Sequence, residues 1–164
     1  MKAPILRGSI FMSYMTVERP SFFVIGIEVR TQNSPEGAMQ DIPALWERFY
    51  KECILDKIPN KISSDVLGLY TDYEKDFTKP YTLVIGCMAT SLETIPKGMV
   101  GKRVPSAKYA VFTAKFPFPQ SIIQTWQEIW KAPLPRTYTG DFEYYGEKFA
   151  HPTSGEVDIY IAVK

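Results

Sequence analysis

Residues 22–30 read Phe-Phe-Val-Ile-Gly-Ile-Glu-Val-Arg, an apolar run rich in aromatic and β-branched residues that predicts a strand. Pro20 and the cluster Asn33-Ser-Pro-Glu-Gly37 bound it. From residue 38 to about 58 the period changes. Ile42, Leu45, Trp46, Phe49 and Cys53 recur at three and four residues, one face of a helix, with Pro43 tolerable only in the opening turn and Pro59-Asn60 closing it. Strands follow at 65–73 and 81–90 around a charged turn. After a linker at 91–105 the order returns, with a strand at 108–116, a Pro-marked turn, a helix at 120–131, and closing strands within 138–146 and 156–164.

The chain therefore reads twice as strand, helix, strand, strand. Ile42-Pro-Ala-Leu-Trp46 overlays Ile122-Ile-Gln-Thr-Trp126 at a shift of 80, and Leu67-Gly-Leu-Tyr-Thr-Asp-Tyr73 overlays Thr139-Gly-Asp-Phe-Glu-Tyr-Tyr145 at a shift of 72. A unit of this size covers one face of a small sheet and gains by pairing with its copy. The expectation is an α+β fold: a tandem pseudo-twofold repeat with an antiparallel sheet, two main helices and a ligand groove between the halves. Residues 16–164 form one domain, with repeats at about 16–90 and 106–164, and residues 1–15 are read as an N-terminal extension. The second overlay sets Thr71 against Glu143, so the carboxylate occurs in one copy only.

Strand side chains alternate faces, which divides the last hairpin. Val157, Ile159, Ile161 and Val163 make an apolar row, with Glu156, Asp158 and Tyr160 opposite; in the preceding strand Glu143 and Tyr145 share a side. Laid together, the two strands are expected to collect carboxylates and tyrosines on the face turned away from the core. Rings with a negative π-face plus a counter-charge suit an organic cation.

Charge and composition narrow the alternatives. Nineteen basic against eighteen acidic residues, with no basic stripe interleaved with aromatics, argue against direct nucleic-acid or membrane partners. One histidine, His151, and two cysteines read as core, Cys53 and Cys87, assemble neither a metal site nor a catalytic triad, and no cofactor is expected. The glycines near Lys102 lack phosphate-loop spacing. No uninterrupted apolar stretch marks a secretory leader or a membrane span, so a cytoplasmic location is expected.

Six segments carry a family likeness: Ile42-Pro-Ala-Leu-Trp46, Leu67-Gly-Leu-Tyr-Thr-Asp-Tyr73, Tyr81-Thr-Leu-Val-Ile-Gly86, Tyr109-Ala-Val-Phe-Thr113, Arg136-Thr-Tyr-Thr-Gly-Asp-Phe-Glu-Tyr-Tyr145 and Glu156-Val-Asp-Ile-Tyr-Ile161. In this order they resemble the effector-binding domain of gyrase-inhibitory-protein-like proteins, which is also the drug-sensing half of AraC-type and MerR-type multidrug regulators. The chain is similar too to the free-standing, integron-cassette form that binds cationic drugs. The resemblance runs from about residue 16 to 164. It implies a pocket for lipophilic cations between the halves, with a buried glutamate carried over to Glu143, a last-strand tyrosine to Tyr160 and a second acid to Asp158. Tyr145, Trp46, Trp126 and Tyr73 complete the expected site, with Tyr70 weighed alongside Tyr73. The sequence shows no helix-turn-helix segment, so any transcriptional role implies a separate DNA-binding regulator, with this chain a monomer or homodimer.

Binding without turnover is the preferred function. The alternative is hydrolysis of electrophilic, cyclopropane-type genotoxic compounds, as some members of the fold perform, with Glu143 as general base and Tyr145 or Tyr160 orienting the electrophile. A protein-binding role of the gyrase-inhibitor kind is a third.

Overall fold

The computed structural model describes residues 14–164. Among them a single eight-stranded antiparallel sheet runs in the order β1-β6-β8-β7-β3-β4-β2-β5. The first repeat supplies β2 (Phe22–Thr31), α1 (Ala38–Lys51), the short α2 (Ile54–Lys57), β3 (Val66–Thr71) and β4 (Tyr81–Ala89). The second supplies β6 (Ala107–Lys115), α3 (Gln120–Lys131), β7 (Asp141–Tyr145) and β8 (Glu156–Val163). The halves meet where β3 pairs with β7. Up to residue 13 the expected N-terminal extension lies outside the described residues.

Two strands were not expected. β1 (Met15–Arg19) opens the first repeat and pairs with β6 of the second; β5 (Val100–Val104) lies in the segment read as linker and pairs with β2 of the first. Each repeat thus sends its leading strand to the outer edge of the other, which covers the open edges of β2 and β6 and ties the halves together.

Both main helices lie on one face of the sheet. Leu45 and Phe49 of α1 and Trp126 and Ile129 of α3 are buried in one cluster with Ile25, Ile27, Leu83, Ile85, Ile159 and Ile161. Burying side chains of this size contributes roughly 1.5–3 kcal/mol each. The helix expected over 38–58 is broken. Cys53 adopts left-handed backbone (φ 51°), α1 ends at Lys51, and the chain restarts as α2, with Ile54 and the following Ile58 buried. Pro43 sits inside α1 rather than at its start, and it faces solvent. There the missing N–H costs least, because water can serve the carbonyl it leaves unbonded.

The other face of the sheet is also packed. Val24, Leu67, Leu69, Val84, Val104, Tyr109, Phe142 and Ala162 form a second buried cluster. Every residue of β3 is buried, as expected of a strand covered on both sides. Where β2 and β4 cross, Gly26 pairs with Gly86, and a Cβ on either would fall 2.0 Å from the partner strand's backbone oxygen.

Candidate functional site

The seam between β3 and β7 sets Gly68 directly opposite Glu143. In an antiparallel pair, opposed residues point to the same face, so Val66, Gly68 and Tyr70 share the helix face with Tyr145, Glu143 and Asp141. A Cβ on Gly68 would lie 3.0 Å from Glu143 Oε1. The glycine therefore leaves the room that the carboxylate fills.

The Glu143 side chain is dry, with 3% exposure. Three neutral groups donate to it: Trp126 Nε1–H to Oε2 at 2.7 Å, the Tyr70 hydroxyl to Oε2 at 3.0 Å, and the Tyr145 hydroxyl to Oε1 at 2.8 Å. Among the described residues no Lys, Arg or His forms an ion pair with it. Burial pushes its pKa above the usual carboxylate value, and the bonds from Trp126, Tyr145 and Tyr70 pull back only part of that rise. Tyr70 and Tyr145 are themselves held well above the usual phenol value, by burial first and then by the Glu143 charge, so both remain donors.

Rings surround this carboxylate from both helices. Tyr70 lies 4.8 Å from Trp126, and Tyr145 meets the edge of Trp46 of α1 at 5.0 Å. Outward, Trp46 stacks on the exposed Tyr50 at 6.0 Å, and Tyr145 meets Phe149 at 5.1 Å, which in turn lies 5.3 Å from Phe118. A chain of ring contacts thus runs from the exposed Tyr50 and Phe149 inward to Tyr145, which donates to the dry acid. A carboxylate has about four lone-pair directions; three are taken, and its charge has no counter-ion among the described residues.

The expected site residues divide. Glu143, Tyr145 and Trp126 are bonded together, and Trp46 packs on Tyr145. Tyr160 and Asp158 are not there. β7 and β8 pair Phe142 with Tyr160, Glu143 with Ile159 and Tyr144 with Asp158, so these two residues point to the opposite face. Tyr160 stacks on Phe142 at 4.4 Å with Arg19 over its ring, and Asp158 accepts from Thr113 and pairs with Lys148. The sequence expectation matched the wrong faces across the hairpin: a one-residue change of register reverses every side chain, and β7, buried on both sides at Phe142 and Glu143, has no exposed face there to mark the error.

Tyr73 belongs to a neighbouring cluster. Its hydroxyl donates to Asp141 Oδ2 at 2.7 Å, beside the buried ion pair of Asp141 with Arg136. Tyr70, weighed only alongside Tyr73 in the sequence, is a first-repeat residue whose side chain hydrogen-bonds Glu143. The signal for it lay in Gly68 two residues earlier, on the same face. The shift of 72 also fails, because Thr71 points away from Glu143. A twofold axis through the sheet keeps faces, so equivalent residues of β3 and β7 must differ by an odd number; the counterpart across the seam is Gly68.

Gly68→Ala is expected to lower stability by about 1–2 kcal/mol through overpacking against the carboxylate, read from chemical denaturation. An unchanged midpoint would mean that Glu143 does not depend on that space.

No group of His, Cys, Asp and Glu among the described residues is arranged to hold a metal ion, and no helix there is long and apolar enough to cross a membrane.

Residues 16–163 match the family model for integron-associated effector binding protein. The putative transcriptional regulator protein YobU of Bacillus subtilis is 34% identical over 146 residues, covering 85% of this chain and 90% of its own length. Transcriptional regulator BrlR of Pseudomonas aeruginosa is 33% identical over 157 residues, 90% of this chain but 54% of its own length. Among solved structures, the Vibrio cholerae integron cassette protein VCH_CASS2 superposes with TM-score 0.69 at 36% identity, covering 92% of this chain and 95% of that one. SAV2435, solved bound to tetraphenylphosphonium, shares the fold with TM-score 0.76 at 24% identity over 93% and 94% of the two chains.

Proposed function

Since the chain belongs to the integron-associated effector-binding protein family, we propose that its effectors are lipophilic organic cations held at the seam, with Glu143 as counter-charge and Tyr145, Trp126, Trp46 and Tyr70 as aromatic walls. One observation carries this reading: a buried carboxylate whose hydrogen-bond donors are all neutral. A structural carboxylate buried this deeply is normally neutralised by Arg or Lys, as Asp141, two residues before Glu143, is by Arg136. Among the described residues Glu143 is left with solvating bonds and no cation.

A positive ligand restores the balance. Each ring face adds about 0.5–2 kcal/mol to a docked cation, so two or three rings with the carboxylate are enough for micromolar binding. Ring faces discriminate poorly among flat apolar cations, and broad specificity follows. Support for the cationic class comes also from the tetraphenylphosphonium bound to SAV2435, a protein of the same fold. In the cell the chain acts as a cytoplasmic sensor or sequestering module, and control of transcription passes through a separate DNA-binding regulator.

The test is calorimetry with a benzyl trimethylammonium carrying a second ring, compared with the neutral compound in which carbon replaces nitrogen. The cation is expected to bind at least tenfold tighter, about 1.4 kcal/mol. Equal affinity for the two would remove Glu143 from the recognition.

A further inference from the structure

Resting on that reading of Glu143, we propose that Arg136 forms a second polar pole of the same site, donating hydrogen bonds to a neutral acceptor oxygen, a carbonyl above all, on the bound cation. The Arg136 side chain is 4% exposed. Its Nη2 donates to Asp141 Oδ2 at 2.7 Å, while Nε and Nη1 have no partner among the described residues. A guanidinium carries five N–H donors. Leaving those of Nε and Nη1 unpaired in a dry place is costly, and such groups call for an acceptor.

The position fits a ligand anchored at Glu143. Asp141 and Glu143 are two residues apart on one face of β7, about 7 Å along the strand. Rings connect them without a break: Tyr70, which donates to Glu143, lies 5.7 Å from Tyr81, and Tyr81 lies 5.7 Å from Tyr73, which donates to Asp141. Tyr138 covers the guanidinium at 4.3 Å, with Phe77 at 5.9 Å. Tyr138 holds its ring there from left-handed backbone (φ 57°), a conformation that bulky residues rarely adopt and that clusters at ligand clamps. It is half-exposed, with its ring lying over the guanidinium between the free donors and solvent.

Charge selects the ligand group. Arg136 and Asp141 already cancel, so an anionic group would set an unbalanced negative charge near Glu143. A carbonyl oxygen accepts the free N–H bonds and adds no charge. The preferred effector is therefore an aromatic cation that also carries a carbonyl, held apart from its positive centre by a ring.

The experiment titrates the full chain with 4-benzoylbenzyl trimethylammonium and with 4-benzylbenzyl trimethylammonium, which differ only in a carbonyl against a methylene. The ketone is expected to bind about tenfold tighter. Arg136→Lys, which keeps a charge beside Asp141 but lacks the guanidinium donors, should abolish that preference, whereas Glu143→Gln should weaken both probes alike. If Arg136→Lys does not fold, the Nε–Hε signal of Arg136 in the native protein decides: it must move with the ketone and stay still with the methylene compound. Equal affinities that still depend on Glu143, with an unmoved Nε–Hε signal, would mean that water alone serves these donors and would overturn this proposal only. Failure of both probes to bind, or indifference of both to Glu143→Gln, would overturn it together with the reading of Glu143.

Discussion

Glu143→Gln is expected to weaken a quaternary ammonium ligand by about 2–3 kcal/mol, roughly 30- to 150-fold, while a neutral isostere of the same shape binds as before. The substitution keeps size and most bonding. An amide oxygen in place of Oε2 still accepts from Trp126 and Tyr70, and the amide N–H₂ beside Tyr145 donates to a hydroxyl that formerly donated to it. What is lost is charge alone. The same argument fixes the pH dependence of the native protein. Burial raises the Glu143 pKa above its ordinary 4.5, and a docked cation, which favours the charged form, lowers it again. A permanently charged ligand therefore binds tightest above the raised pKa and weakens as pH falls through it, with proton release on binding in that window. Calorimetry in buffers of different ionisation enthalpy measures the release. Affinity that stays flat from pH 4 to 8 would show that the ligand does not sense this carboxylate.

The main elements were legible because central strands and docked helices carry dense apolar signals: 22–30 and 81–90 are β-branched runs, and Leu45, Trp46 and Phe49 repeat at helical spacing. The edge strands were not. Thr16-Val-Glu-Arg19 and Val100-Gly-Lys-Arg-Val104 contain too few apolar residues to announce themselves, since what fixes them is the backbone edge of the other repeat. The break at Cys53 left no trace either, as neither glycine nor proline stands there. At the site, Glu143 was visible as a carboxylate present in one copy and absent from the other, although the residue chosen for comparison, Thr71, faces the wrong way. Tyr160 and Asp158 were misplaced for a more general reason. Alternation sorts each strand into two faces, but only inter-strand register says which faces coincide, and with Phe142 and Glu143 both buried on opposite sides, polarity could not choose between them.

Asp141→Asn is expected to cost about 3–5 kcal/mol of stability, a fall in melting temperature of roughly 6–20 °C for a chain of this length. Asp141 Oδ2 accepts from Arg136 and from Tyr73, and Oδ1 accepts from the Ala162 amide, so the carboxylate joins β7 to β8 and to the loop before it. Removing its charge leaves a buried guanidinium without a counter-ion. Glu143→Gln should do the opposite. A carboxyl whose folded pKa is raised stabilises the fold below its unfolded pKa and loses that contribution as pH rises through the folded value, so the native empty protein is handicapped at neutral pH by the unpaired Glu143 charge. The Gln variant should therefore melt higher than the native protein near pH 7, with the gap closing below pH 4.5, where Glu143 is protonated in both folded and unfolded chains. Two acids on one face of one strand then act with opposite signs, one holding the fold and the other weakening it in favour of a ligand. A Glu143→Gln protein that melts lower than the native one at neutral pH would place Glu143 with Asp141 among the structural acids.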